Sequence, residues 1–180
     1  MSRETHIVLL RGVNVGGRNR LPMATLRGHF ETAGCERVRT YIQSGNVVFE
    51  APAARARRAI RTLSDTLAGV GLDVPVVSRT AGELAAAVAA NPLLDEGGDP
   101  AHLHVGFLVG TPTPARAGAL DPDRSPPDRF RLVGRELFLS CPNGMARTKL
   151  TSAYLDTTLG TVTTIRNWRT TRALLELARR

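Results

Sequence analysis

Val38-Arg39-Thr40-Tyr41-Ile42-Gln43-Ser44-Gly45-Asn46-Val47-Val48-Phe49 reads as two strands folded back on each other. Val38–Ile42 and Val47–Phe49 are rich in β-branched and aromatic residues, and Gln43-Ser44-Gly45-Asn46 supplies the turn between them. Upstream, Ile7–Leu10 is a strand-like run. Pro22 suits the first turn of a helix, and Met23, Leu26, Phe30 and Ala33 share one face before Gly34 stops it. Downstream, Pro52 opens a second helix with Ile60, Leu63, Leu67 and Val70 at the same apolar spacing, and Val74–Val77 is a strand. The hairpin thus sits inside a strand-helix-strand-strand-helix-strand order, that of a ferredoxin-like unit.

The order then recurs. Thr80-Ala81-Gly82-Glu83 is a capping box that opens a connecting helix, Asn91-Pro92 closes it, and Asp95–Pro100 reads as a loop. His102–Val109 is a strand, Pro114–Leu120 a short helix, and Phe130–Val133 with Glu136–Ser140 a hairpin around Gly134-Arg135. Arg147–Leu159 reads as a helix ended by Gly160, Thr161–Ile165 as a strand and Asn167–Ala178 as a final helix. The expected fold is α+β: two ferredoxin-like βαββαβ halves joined by a helix, plus a C-terminal helix. The halves are placed at 1–79 and 101–180, with 80–100 as connecting helix and loop.

With 180 residues, the chain has enough apolar content for a proper core. No apolar run approaches the roughly 18 residues that span a bilayer, so no membrane association is expected. Met1-Ser2-Arg3-Glu4-Thr5-His6 passes directly into the first strand, and no signal peptide is evident. Cys35 and Cys141 stand alone, which fits a reducing cytoplasm. Arginine outnumbers lysine 23 to 1, and Lys149 is the single lysine. Charge is unevenly spread: residues 1–61 carry +7, residues 62–130 carry −5 and residues 131–180 carry +6. Basic ends favour anionic partners there, or contact between parts of one chain.

The topology gives the first loop a neighbour. In a βαββαβ unit the first and second strands run the same way, so the loop after each emerges at the same end of the sheet. Arg11-Gly12-Val13-Asn14-Val15-Gly16-Gly17-Arg18-Asn19-Arg20 should therefore converge with Gln43, Ser44 and Asn46. Glycine-rich backbone flanked by arginines is the composition of an anion-binding loop.

These two segments closely resemble the bacterial family called domain of unknown function 1697, as do Thr164-Ile165-Arg166-Asn167-Trp168 and the position of Asn91-Pro92. The resemblance implies a duplicated α+β fold and brings with it no activity, substrate or catalytic residue. Arg18 stands where many relatives carry lysine, which keeps the charge but not the compact ammonium.

Each candidate has a plainer explanation beside it. Gly12-x-x-x-x-Gly17-Arg18-Asn19 has P-loop glycine spacing but lacks the Lys-Ser/Thr that would meet phosphate and Mg²⁺. Ser44 as a nucleophile needs a base, and neither His6 nor His29 has an assigned place beside it. His102 and His104 share a strand face without a clear third ligand, so neither metal nor cofactor is expected. Arg147, Thr148 and Lys149 open one helix, and Arg166, Asn167, Trp168 and Arg169 another, as a secondary anion site. Trp168 there could stack on a base, or anchor the last helix with Asn167 as N-cap.

Three functions stay open. The leading one is an anion-binding module for nucleic acid or a phosphorylated ligand, using Arg11, Asn14, Gly16, Gly17, Arg18, Asn19, Arg20, Gln43, Ser44 and Asn46. The second is an enzyme on a phosphorylated or carboxylated metabolite, with Arg11, Arg18 and Ser44 in the cleft. The third is a structural protein, dimerising through a sheet edge. An RNA-binding sheet wants exposed aromatics. Strand alternation puts Arg39, Tyr41, Val47 and Phe49 on one face that reads as core.

Overall fold

The computed structural model describes residues 3–180. Met1 and Ser2, at the head of the run into the first strand, lie outside the described residues. The first half runs β1 (Glu4–Leu10), α1 (Met23–Thr32), β2 (Glu36–Tyr41), β3 (Asn46–Ala51), α2 (Ala53–Gly69) and β4 (Val76–Thr80). Next come α3 (Ala81–Ala89), α4 (Pro92–Asp95) and a 3₁₀ turn, Pro100–His102. The second half is β5 (Leu103–Leu108), α5 (Pro114–Gly118), β6 (Arg129–Val133), β7 (Glu136–Ser140), α6 (Ser152–Leu159), β8 (Thr163–Asn167) and α7 (Trp168–Ala178).

Each half carries one four-stranded antiparallel sheet, ordered β2-β3-β1-β4 and β6-β7-β5-β8. The ferredoxin-like order is therefore present twice. The registers also correspond. Ile7 of β1 faces Val48 and Arg79, and Val105 of β5 faces Phe138 and Arg166. Leu10 N–H donates to Gly45 O at 2.8 Å, as Leu108 N–H does to Arg135 O at 2.9 Å. By contacts the chain divides into two units: one reaches Ala85 and includes Leu174–Arg180, and the other is Ala86–Ala173.

In the first unit Val8, Leu10, Val47 and Phe49 of the sheet pack with Leu26 and Phe30 of α1 and with Ala59, Leu63 and Leu67 of α2. Phe30 and Phe49 stack at 4.6 Å between centroids. Val70, expected on this apolar stripe, falls beyond the end of α2 and is exposed. In the second unit Leu108, Leu137, Leu139, Leu155 and Leu159 form the corresponding core.

Several expectations are corrected. The strand read at Val74–Val77 begins at Val76, because Pro75 has no N–H for a ladder and instead accepts from Arg11 N–H at 3.0 Å. The Asp95–Pro100 loop is shortened at both ends. Asn91 caps α4 by accepting from Leu93 N–H, and Asp99 caps the 3₁₀ turn by accepting from Ala101 N–H. The helix read from Arg147 starts only at Ser152, where Thr151 accepts from Tyr154 N–H. Ahead of it, Lys149 N–H donates to Ser125 Oγ and Leu150 N–H to Thr148 Oγ, side-chain bonds that compete with helix formation.

Tyr41 and Phe49 do not share a face. Tyr41 pairs with Asn46 and Arg39 with Val48, so both stand with Asn46 and Val48, opposite Val47 and Phe49. Counting eight residues assumes a continuous strand, and the turn resets the phase. The face away from α1 and α2 is itself closed: Ile7, Leu9, Val48, Val77 and Arg79 are all buried. This sheet offers no open aromatic platform.

Candidate functional site

The loop between β1 and α1 is a small finger held by its asparagines. Val15 and Arg18 form an isolated bridge, with Arg18 N–H donating to Val15 O at 2.9 Å and Asn14 N–H to Asn19 O at 3.1 Å. Asn14 Nδ2 donates to Leu21 O at 2.9 Å and to Gln43 O at 2.8 Å, while its Oδ1 accepts from Leu21 N–H at 2.9 Å. One side chain thus fastens the loop to the start of α1 and to the β2–β3 turn, and the expected convergence of the two segments is present. Asn19 Nδ2 donates to Gly12 O at 3.0 Å. Asn14 and Asn19 sit at φ of 56° and 48°, a region asparagine tolerates better than other side chains.

Gly45 is required by space as well as by φ. A Cβ there would lie 2.7 Å from Leu10 Cβ and from Val13 Cγ2. Close approach of the turn to β1 is what brings Gln43 against the loop.

The candidates divide by what already occupies them. Asn14, Asn19 and the fully buried Asn46 hold the frame, and Asn46 Nδ2 donates to Tyr41 O and to Ser44 Oγ. Ser44 Oγ thus accepts from the Asn46 amide. His6 Nε2–H donates to Ala51 O and His29 Nε2–H to Ala59 O. By register His6 faces Phe49, three residues along the ladder from Asn46, or about 10 Å away. Arg11 is half-buried. Arg18, Arg20 and Gln43 are exposed, and the two guanidiniums have no ion pair among the described residues.

Asn14, Gly17, Arg20, Leu21, Pro22 and Gln43 enclose a cleft of about 300 Å³. It opens at the start of α1, where Pro22 offers no capping side chain and the first turn holds no acid. The unfilled N–H groups and helix dipole there favour a negative charge. A larger cavity, about 650 Å³, lies between α1 and α2. Sequence reading passed over it, because its wall is built from the outer rims of two core-facing helices.

The secondary residues already have structural tasks. Lys149 lies in the loop before α6, where Arg124 Nε–H donates to its carbonyl. Asn167 Oδ1 accepts from Thr170 N–H at 2.7 Å as the cap of α7, and Trp168 is 4% exposed, which leaves its ring no open face for stacking. Burial pulls Arg166 down to about 10. His102 is in the 3₁₀ turn near Asp99, not on the strand with His104. Among the described residues no group of three or more His, Cys, Asp or Glu is placed to hold a metal. No helix among them is long and apolar enough to cross a membrane.

A family model described as protein of unknown function (DUF1697) matches residues 3–138. Among solved structures, the chain is similar to conserved bacterial protein SP0830 from Streptococcus pneumoniae, with a TM-score of 0.73 at 21% identity. The match covers 98% of this chain and 99% of that one, and at this identity it speaks for the fold. No curated protein matches.

Proposed function

The chain belongs to the family of proteins of unknown function DUF1697, and we propose, from its own residues, that it binds an anionic ligand at the finger between β1 and α1. The carrying observation is the cleft enclosed by Gly17, Arg20, Pro22 and Gln43 at the uncapped start of α1. Backbone N–H groups of the helix start, Arg18, Arg20 and the Gln43 amide are the binding groups. Asn14, Asn19, Asn46 and Ser44 act through them by holding the loop. A cleft of this size suits one phosphate or carboxylate with a small body attached. Free, buried Cys35 and Cys141 fit action in a reducing cytoplasm.

A nucleic acid is the second reading, favoured by exposed Arg55, Arg57, Arg58 and Arg61 along α2. The closed sheet faces weigh against base stacking, so such binding would track phosphates. Calorimetry with inorganic pyrophosphate, beside fluorescence anisotropy with labelled single strands across a salt series, separates the two. The small-ligand reading expects saturable pyrophosphate binding that weakens when Arg18 and Arg20 are both changed to alanine. The polyanion reading expects log affinity for oligonucleotide to fall with log salt at a slope of about −3. Absence of both signals at low salt sinks the proposal.

A further inference from the structure

The groove between α1 and α2 has an apolar floor: Leu26, Ala59, Leu63 and Leu67 line it, each 4% exposed or less. Its polar wall is largely spent. Thr62 Oγ–H donates to Arg58 O at 3.0 Å, Thr66 Oγ–H to Thr62 O at 2.8 Å, and His29 Nε2–H to Ala59 O at 2.9 Å. Arg58 alone among the lining residues carries a formal charge, and its guanidinium has no acidic partner among the described residues. It stands on the first half of α2, which lies toward the end of α1, since neighbouring Arg55 donates to Gly34 O. The glycine finger is at the other end of that helix.

Gly28 is the telling position. It sits inside α1, where glycine is costly relative to alanine, yet a Cβ there would meet nothing within 4 Å. Neither helix geometry nor packing asks for glycine at this point. Its missing side chain instead leaves the groove open.

We propose that this groove binds a small amphipathic carboxylate, its hydrocarbon lying on Leu26, Leu63 and Leu67 and its carboxylate meeting Arg58. An apolar cavity of about 650 Å³ with one unpaired cation at its rim is complementary to a hydrocarbon body with one negative charge. A neutral lipid would leave the guanidinium unused. A highly charged metabolite would face an apolar floor.

Isothermal titration with sodium octanoate and with 1-octanol tests this on the full chain and on two variants. The wild type should bind octanoate saturably at one site. Gly28→Leu fills the groove with a better helix former, so binding should vanish while the melting temperature holds or rises. Arg58→Gln should weaken octanoate about three- to fivefold, as expected for an exposed charge pair, and leave 1-octanol unchanged. No saturable octanoate binding by the wild type, or unchanged binding by Gly28→Leu, overturns the site. Equal loss of octanoate and 1-octanol in Arg58→Gln overturns the carboxylate assignment.

Discussion

Thr80 and Asn167 hold the same post in the two halves. Each ends the last strand of its sheet, opposite His6 and His104 respectively, and each caps the helix that follows directly. Thr80 Oγ accepts from Glu83 N–H at 3.1 Å, and Asn167 Oδ1 from Thr170 N–H at 2.7 Å. The repeating unit is thus longer than βαββαβ. It includes a trailing helix, so the joining helix α3 and the C-terminal helix α7 hold equivalent places in the two halves.

Equal posts imply similar costs. Thr80→Ala and Asn167→Ala should each destabilise the protein by about 1 kcal/mol, the usual value of an N-cap. At Thr80 the reciprocal bond from its own N–H to Glu83 Oε2 survives the substitution, so its loss should be the smaller. Urea unfolding of the two variants beside the wild type measures this. An unchanged midpoint for Asn167→Ala contradicts the equivalence.

Asn14 should be the costliest polar residue of the finger. Asn14→Ala removes three hydrogen bonds and puts alanine at φ 56°. At about 1 kcal/mol per bond the expected loss is about 3 kcal/mol, with roughly 1–2 more for the backbone. Asn14→Gly loses the same bonds without the backbone cost, so it should be the milder variant. Alanine proving no worse than glycine would show that the φ value contributes nothing.

The sequence carried the fold well wherever a period met a stop signal. Met23, Leu26 and Phe30 are buried on α1 and Leu63 and Leu67 on α2, with Gly34 at φ 77° just past the first helix. The parallel course of β1 and β2 likewise placed the finger beside Gln43 from topology alone. Sequence reading failed where side chains outcompeted periodicity. Thr148 and Ser125 hold residues 147–151 out of a helix that apolar spacing continues through. It failed again at Tyr41, whose face depends on turn length, and at the α1–α2 groove, whose wall comes from the outer rims of two core-facing helices, with open space at Gly28.

Both thiols should be inert in the native protein. Burial, then the nearby Asp128 charge, pushes Cys141 up to about 11 against a hydrogen bond with Thr148. Burial also raises Cys35, with Arg55 opposing it. At mildly alkaline pH an aromatic disulfide reagent should detect no fast-reacting thiol in the folded chain and two per chain in guanidinium. Asp128→Asn should leave Cys141 slow, because burial is the larger cause. A fast native thiol in either protein would contradict this.

His104 gives the second half a predictable acid response. Burial lowers its pKa below the ordinary 6.5, chiefly by penalising the cation; Nδ1–H donation to His102 O works the other way, and the neighbouring His102 charge lowers it further. The unfolded chain therefore takes up a proton first as pH falls, and that uptake favours unfolding. The contribution of His104 is complete above about pH 6.5 and declines as pH drops from there through the folded-state value. His104→Gln removes this titration. Its stability should thus fall less steeply than wild type between about pH 8 and pH 5, whatever its absolute change. Parallel curves for the two proteins, from guanidinium unfolding across that range, would show that His104 titrates alike in both states.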